Sequence, residues 1–192
     1  MIIGLDIDDV IYQTGEMVKR LLTDFDDLDA TTKMEIMRGT VVLPVVKKFW
    51  EDNFLTISKK DKIVEGAAEG ISKLRKRHKV VLVTARGDEH YPGIEKVTKE
   101  MLAKDGVEYD GLVFNSLDKV VDCERLGVEL FIDDSPRNCS EVMDKLKIPV
   151  VGFASEITRD ELKRKKIFSV DNWADLEKAV AKIADGEMVA GV

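Results

Sequence analysis

The sequence predicts an α/β fold built on a doubly wound parallel sheet, and three observations carry that prediction. Short apolar runs recur at residues 2–5, 80–83, 112–114, 130–132, 148–153 and 167–170, each brief enough to be a strand buried on both faces. Segments with apolar residues at helical spacing separate most of these runs, and such alternation calls for parallel strands joined by right-handed crossovers. Two of the runs end abruptly in acid, at Asp6-Ile7-Asp8-Asp9 and at Asp133-Asp134. Acidic side chains there stand at the carboxyl ends of parallel strands, where open α/β sheets bind their ligands.

The elements can be justified in chain order. The first run leads straight into the acidic cluster, and about seventy residues then separate it from Val80, far more than the dozen or so of a simple crossover. These residues read as helices at 16–24, 31–38, 44–53 and 63–77. The last leads directly into Val80 and is the crossover itself. Residues 14–60 are therefore expected to form a small helical insert, placed above the strand end as a cap or lid would be. Further on, 94–104 carries Ile94, Val97, Met101 and Leu102 on one face and stops at Asp105-Gly106. A helix over 140–147 follows Pro136-Arg137-Asn138 and presents Val142, Met143 and Leu146. The segment 173–183 sets Trp173, Leu176, Val180 and Ile183 at helical spacing, with Asp171 or Asn172 as its N-cap. The expected organisation is a core of 1–13 and 61–185, an insert of 14–60 and a frayed tail of 186–192.

Composition narrows the function classes. A chain of 192 residues with 44% hydrophobic and 35% charged residues is long enough for one core with a modest insert. A net charge of −7 disfavours nucleic-acid polymers and anionic membranes as partners, but leaves room for a small phosphorylated ligand. No stretch approaches the roughly 20 apolar residues of a membrane span, and the first strand begins at once, without a signal-peptide pattern. Cys123 and Cys139 lack metal-type spacing and read as reduced thiols of a cytoplasmic protein. His78 and His90 are too few and too far apart for a zinc site. The oligomeric state is not encoded in any pattern of this kind.

The chemistry-bearing residues cluster at predicted strand ends. Asp6 and Asp8 are two apart and so leave an extended backbone on the same face. Like charges held together need a cation or a shared proton, and with Asp133-Asp134 they point to a divalent-metal site. Thr84, Ala85 and Arg86 follow the run 80–83, and Asn115, Ser116 and Lys119 follow 112–114. Carboxylates, a hydroxyl and a lysine on one sheet edge suit phosphoryl transfer. Each residue alone has a plainer reading: turn aspartates, a capping threonine, a solvated lysine. Their order along the chain is the stronger signal.

These residues resemble the four motifs of the haloacid dehalogenase superfamily. Asp6-Ile7-Asp8-Asp9-Val10 is similar to its first motif, Thr84 to its second, Lys119 to its third and Asp133-Asp134 to its fourth. The resemblance implies a three-layer αβα core carrying a phosphatase site that works through an aspartyl-phosphate. It makes Asp6 the nucleophile and Asp8 the acid and base, with Thr84 on a phosphoryl oxygen and Lys119 offsetting charge. It implies Mg2+ bound by Asp6, the backbone carbonyl of Asp8 and Asp134, with Asp133 in support. Asp9 departs from the Gly common at that place and reads as solvated. A receiver-like signalling domain also groups acids, a Thr and a Lys, but places its phosphorylated Asp on a central strand after an acidic pair on the first strand, and has no long insert.

A narrower resemblance bears on substrate. Phe49-Trp50-Glu51-Asp52-Asn53-Phe54 and 172–179 are similar to the cap and tail of 5′(3′)-deoxyribonucleotidases. That resemblance implies a nucleoside monophosphate substrate, with Trp50, Phe54 and Phe49 stacking on its base. The competing reading makes these aromatic rings the core of the insert, and leaves a sugar phosphate or another ester as substrate. The nucleotidases commonly place Arg directly after the paired acids, where this chain has Ser135, with Arg137 two residues later. Arg86 is the candidate phosphate ligand in its stead, the other reading being a pairing with Glu or Asp on the surface.

Overall fold

The computed structural model describes residues 1–39 and 43–187. Strands β1 (Ile2–Leu5), β2 (Lys79–Val83), β3 (Gly111–Val113), β4 (Leu130–Asp133), β5 (Val150–Phe153) and β6 (Ser169–Val170) form a six-stranded sheet in the order β3-β2-β1-β4-β5-β6. Every pairing is parallel, with Leu5 opposite both Leu82 and Ile132. The chain steps outward from β1 to β3, then returns to β4 on the other side of β1. A crevice opens at the carboxyl ends of the strands at such a switch point. Asp6 and Asp133 stand on its two sides. This strand order matches the expected doubly wound sheet and differs from the 2-1-3-4-5 order of receiver domains.

Between β1 and β2 lie helices α1 (Thr14–Leu21), α2 (Ala30–Met37), α3 (Pro44–Lys60) and α4 (Ala67–Arg75), with a 3-10 turn at Leu22–Asp24. Helices α5 (Ile94–Lys104), α6 (Lys119–Leu126), α7 (Pro136–Leu146), α8 (Arg159–Arg164) and α9 (Trp173–Ala184) follow the later strands. Side chains alternate across each strand, so Leu130 and Ile132 join Ile3, Leu82, Ile71 and Leu176 on one face. Phe131 joins Val120, Cys139, Val142 and Leu162 on the other. Helices therefore cover both faces, which makes the three layers. Cys123 and Cys139 are free thiols buried in the second of these clusters.

Helix boundaries differ from the sequence expectation for local reasons. Helix α3 runs past residue 53 to Lys60 because Val46, Phe49, Phe54 and Ile57 keep a buried stripe going, and Asp61 ends it by turning extended at ψ 149°. Helix α4 starts only at Ala67, because Gly66 at φ 81° cannot belong to it and the preceding residues are extended. Helix α7 starts at Pro136, four residues before the expected onset, since proline fits the first turn, where no N–H is needed. Asn172, and not Asp171, caps α9 by accepting from the Asp175 amide at 2.9 Å. Helices α6 and α8 were not assigned from periodicity. The expected tail lies outside the described residues from 188 onward.

Helices α1–α3 have an apolar cluster of their own, with Val18, Leu22, Ile36, Val46, Phe49 and Ile57. Two extended passages join them to the sheet and pair with one another. Gln13 N–H donates to the Lys62 carbonyl at 2.9 Å, and Val64 N–H donates to Ile11 at 2.8 Å. Helix α9 ties down the loop beneath this neck. The Trp173 indole, 1% exposed, donates to the Val10 carbonyl at 2.9 Å. Its ring lies so close on α4 that a Cβ at Gly70 would come within 2.4 Å of it. No described helix is long and apolar enough to cross a membrane.

Candidate active site

The residue after β1 is the centre of the site. Asp6 prolongs the strand by donating its N–H to the Ile132 carbonyl at 2.9 Å, which fixes its side chain at the switch point. Its Oδ1 accepts from Lys119 Nζ at 2.6 Å and its Oδ2 from the Asp8 amide at 3.1 Å. Lys119 is the first residue of α6 and also donates to the Val83 carbonyl. Its placement is local in origin, since Asp118 caps the helix by accepting from the Val120 and Val121 amides. Burial would strip the charge from Lys119, but Asp6 and Asp133 outweigh it and hold the ammonium above its ordinary pKa. Burial pushes Asp6 upward, and Lys119 opposes that without cancelling it. Thr84, fully buried after β2, accepts from the Arg86 amide at 3.2 Å through its Oγ1, an arrangement that leaves its O–H as a donor.

Three carboxylates gather across the switch point. Oxygens of Asp6, Asp133 and Asp134 lie within 4.8 Å of one another. Asp133 is fully buried and accepts from the Ser135 amide at 2.8 Å and from Asn138 Nδ2 at 3.0 Å. Burial, then the charge of Asp6, pushes Asp133 to about 7. Asp134 is driven well above the carboxylate range by burial and by Asp9, Asp133 and Asp6. In both, burial is the larger cause, and the neighbouring carboxylates add to it. The donors are hard oxygens at ligand spacing, which fits Mg2+ better than a metal preferring nitrogen or sulfur.

Asp8 faces a different set of partners. Its Oδ1 and Oδ2 accept from Arg86 Nη2 at 2.7 Å and Nε at 3.2 Å, a two-pronged grip. Thr14 Oγ1 donates to Asp8 Oδ1 at 2.6 Å. Burial acts to raise Asp8, and the Arg86 guanidinium overrides it to hold the carboxyl below its usual range. Arg86, expected on phosphate, is thus committed elsewhere: its side chain is 0% exposed, and its Nη1 donates to Thr98 at 3.2 Å. Asp9, read as solvated, instead accepts from the Gly15 amide at 2.8 Å at the start of α1. It adopts φ 54°, a left-handed conformation that Gly would reach more easily.

No family model matches the chain. It is 24% identical over 186 residues to the protein named "Putative nucleotidase YqfW" from Bacillus subtilis, covering 90% of each chain. It is 23% identical over 161 residues to "Putative nucleotidase BH1399" from Halalkalibacterium halodurans, covering 77% of this chain and 76% of that one. The haloacid dehalogenase-like hydrolase SP0104 from Streptococcus pneumoniae superposes with a TM-score of 0.66 over 93% of this chain and 97% of its own, at 11% identity. The fold is haloacid dehalogenase-like.

Within this haloacid dehalogenase-like fold, the remaining sequence candidates fall at varied distances from the acids. Phe49 and Phe54 are only 5% and 6% exposed. Phe49 packs edge-on against Phe25 and Trp50, and Phe54 against Trp50 and Tyr91, with its ring 5.4 Å from the Arg86 guanidinium. Trp50 is half-buried, and its indole N–H is enclosed without a partner. Ser135, standing where the nucleotidases place Arg, caps α7 through the Asn138 amide. Arg137 pairs along the surface of α7 with Glu141 at 2.9 Å and stays outside the site. A groove of about 440 Å3 lined by Arg159, Phe168, Lys178 and Lys182 lies apart at the β6 edge and contains none of the motif residues. Sequence reasoning missed Thr14, Asp61, Thr98 and Tyr91. A Thr just past an acidic strand end and an Asp closing a long helix were the available cues, and neither is distinctive alone.

Proposed function

We propose that the chain is a Mg2+-dependent phosphomonoesterase acting on a small phosphorylated metabolite, a nucleoside monophosphate in the first reading. The observation that carries the proposal is the meeting of Asp6, Lys119 and the Asp133–Asp134 pair at one switch point, with Thr84 at the end of the adjacent strand β2. The nucleotidase names of two relatives support a phosphatase-type hydrolase.

In this reading a carboxylate oxygen of Asp6 attacks phosphorus, forming an acyl phosphate as the bond to the leaving oxygen breaks. Asp8, once parted from the Arg86 guanidinium that holds it ionised and after taking up a proton, gives that proton to the leaving oxygen, then takes one from the water that hydrolyses the acyl phosphate. Lys119, already on Asp6 at 2.6 Å, offsets charge on the phosphoryl group, and the Thr84 hydroxyl donates to one of its oxygens. Asp6, Asp133 and Asp134, with the backbone carbonyl of Asp8, would hold Mg2+, which when bound supplies positive charge to the phosphoryl oxygens. Residues 14–60 serve as the cap over a core of 1–13 and 61–185, in a cytoplasmic enzyme. Trp50, the least buried of the three expected stacking rings, is the one left to face a base.

The burial of Phe49 and Phe54 favours a second reading, a sugar phosphate or another non-nucleotide ester, because two faces of the expected base sandwich are already covered. The test is phosphate release from nucleoside 5′- and 3′-monophosphates, sugar phosphates and an aryl phosphate, in Mg2+ and in chelator, with Asp6→Asn as control. Mg2+-dependent turnover highest on nucleotides and absent in Asp6→Asn is the expected result. Turnover on sugar phosphates alone selects the second reading. No release from any ester overturns both.

A further inference from the structure

The neck of the helical segment meets the active site through a polar joint that adds Thr14, Asp61 and Arg86 to Asp8 of the first motif. Thr14 opens α1 on one passage of the neck, and Asp61 closes α3 on the other. The Thr14 hydroxyl stands 2.6 Å from Asp8 Oδ1 and 2.8 Å from Asp61 Oδ2. Arg86, held from β2, reaches Asp8 with two nitrogens and comes within 3.7 Å of Asp61. The Asp61 side chain is 0% exposed, and its second oxygen has no hydrogen-bond partner among the described residues. A buried carboxylate left partly unsatisfied is costly, so its retention beside an arginine already paired calls for a role.

We infer that Arg86, Thr14 and Asp61 are positioning residues that set the direction of the Asp8 carboxylate. The inference rests on the phosphomonoesterase reading, in which Asp8 protonates the leaving oxygen. A guanidinium fork gripping both oxygens fixes the plane of the carboxylate, and a lysine could not reproduce that. Arg86 alone would hold Asp8 as tightly as geometry allows. Asp61 stands 3.7 Å from the same guanidinium, and the single proton of the Thr14 hydroxyl goes to Asp8 or to Asp61, so the direction of Asp8 is tied to both passages of the neck. Because Thr14 and Asp61 belong to opposite passages of the neck, the joint is complete only when both passages are seated.

Substrates with different leaving groups separate this role from a merely structural one. An aryl phosphate such as p-nitrophenyl phosphate expels a stable anion and needs little help from a general acid. A simple alkyl phosphate needs that proton. Thr14→Val removes one hydroxyl at nearly constant shape, and Thr14→Ser keeps it. The expected result is a rise of about tenfold or more in the aryl-to-alkyl ratio of kcat/KM for Thr14→Val, part of the roughly 10²–10⁴-fold that a general acid contributes; kcat/KM reports expulsion of the leaving group and not the shared hydrolysis of the acyl phosphate. KM should change little, and Thr14→Ser should restore the ratio. Asp61→Asn carries the same comparison if Thr14→Val melts below the assay temperature. The inference is overturned if kcat/KM falls in equal proportion for both esters, or if the Val and Ser variants behave alike. A wild-type chain that cleaves neither ester overturns the phosphomonoesterase reading itself, a result distinct from either of those.

Discussion

Replacing Asp134 by Asn should make the metal-free protein more stable and less responsive to Mg2+. The carboxyl oxygens of Asp6, Asp133 and Asp134 lie within 4.8 Å of one another, and Asp134 makes no ion pair among the described residues. Two unit charges at that separation repel by about 3.5 kcal/mol at an effective dielectric constant of about 20. The half-buried Asp134 can shed part of this into solvent or by taking up a proton, so the realised gain on neutralising it is about 1–3 kcal/mol. For a domain of 192 residues each kcal/mol moves the melting temperature by about 2–4 °C. Asp134→Asn should therefore melt several degrees above wild type in chelator. Saturating Mg2+ should then reverse the comparison, because an ion at about 100 times its Kd stabilises the folded state by about 2.7 kcal/mol. Only wild type should collect most of that gain. Thermal melts of both proteins in chelator and across a Mg2+ titration make the measurement without reference to activity. If Asp134→Asn is the less stable protein in chelator, or if Mg2+ raises both melts equally, the three acids are not a metal site.

Three further outcomes follow from other contacts. Gly70→Ala sets a Cβ 2.4 Å from the pinned Trp173 ring. A helix-propensity gain of about 1 kcal/mol is outweighed by overpacking of about 1–3 kcal/mol and the threatened Trp173–Val10 hydrogen bond; a urea midpoint at or above wild type would count against that packing. Trp50→Ala should raise KM for nucleoside monophosphates more than for an aryl phosphate, and an equal change in both would return Trp50 to the core of the helical segment. His78 is held below its ordinary pKa, chiefly by burial and then by the N-terminal ammonium and Arg77, and its Nδ1 is buried without a partner. The folded state therefore prefers neutral His78: its contribution is present above pH 6.5 and lost as pH falls through 6.5 and below. Replacing His78 with Gln should flatten stability across that window, and an unchanged pH profile would refute the assignment.

The strands and the motif residues were legible because their causes are local. A parallel strand buried on both faces must be a short apolar run, and Asp6, Thr84, Lys119 and Asp133 each stand a step from one. What was not legible is which side chains meet. Arg86 lies 78 residues from Asp8 in sequence, and its distance past Thr84 is as compatible with a phosphate ligand as with an ion pair. Thr14 and Asp61 are 47 apart, joined only because the neck folds back on itself. Phe49, Trp50 and Phe54 show the same limit within one helix. Helical spacing puts Trp50 and Phe54 on one side of α3 at i,i+4, but does not tell that Phe54 is covered by Tyr91 from a loop beyond β2.

The topology explains why such a scattered set of residues makes one site. Lys119 and Asp6 are 113 residues apart, yet they form a buried ion pair because the β3–β4 crossover opens with Lys119 against the end of β2, the strand beside β1. A sheet wound in a single direction would have put the acids after β4 several strands from those after β1. Returning to the far side of β1 brings the two clusters side by side, with β2 supplying Thr84 and Arg86 on the opposite flank. The same winding leaves the β1–β2 connection free to carry α1–α3 directly above Asp8. One reversal of strand order therefore sets both the charge concentration that calls for a cation and the access of the helical segment to the residue that would move the proton.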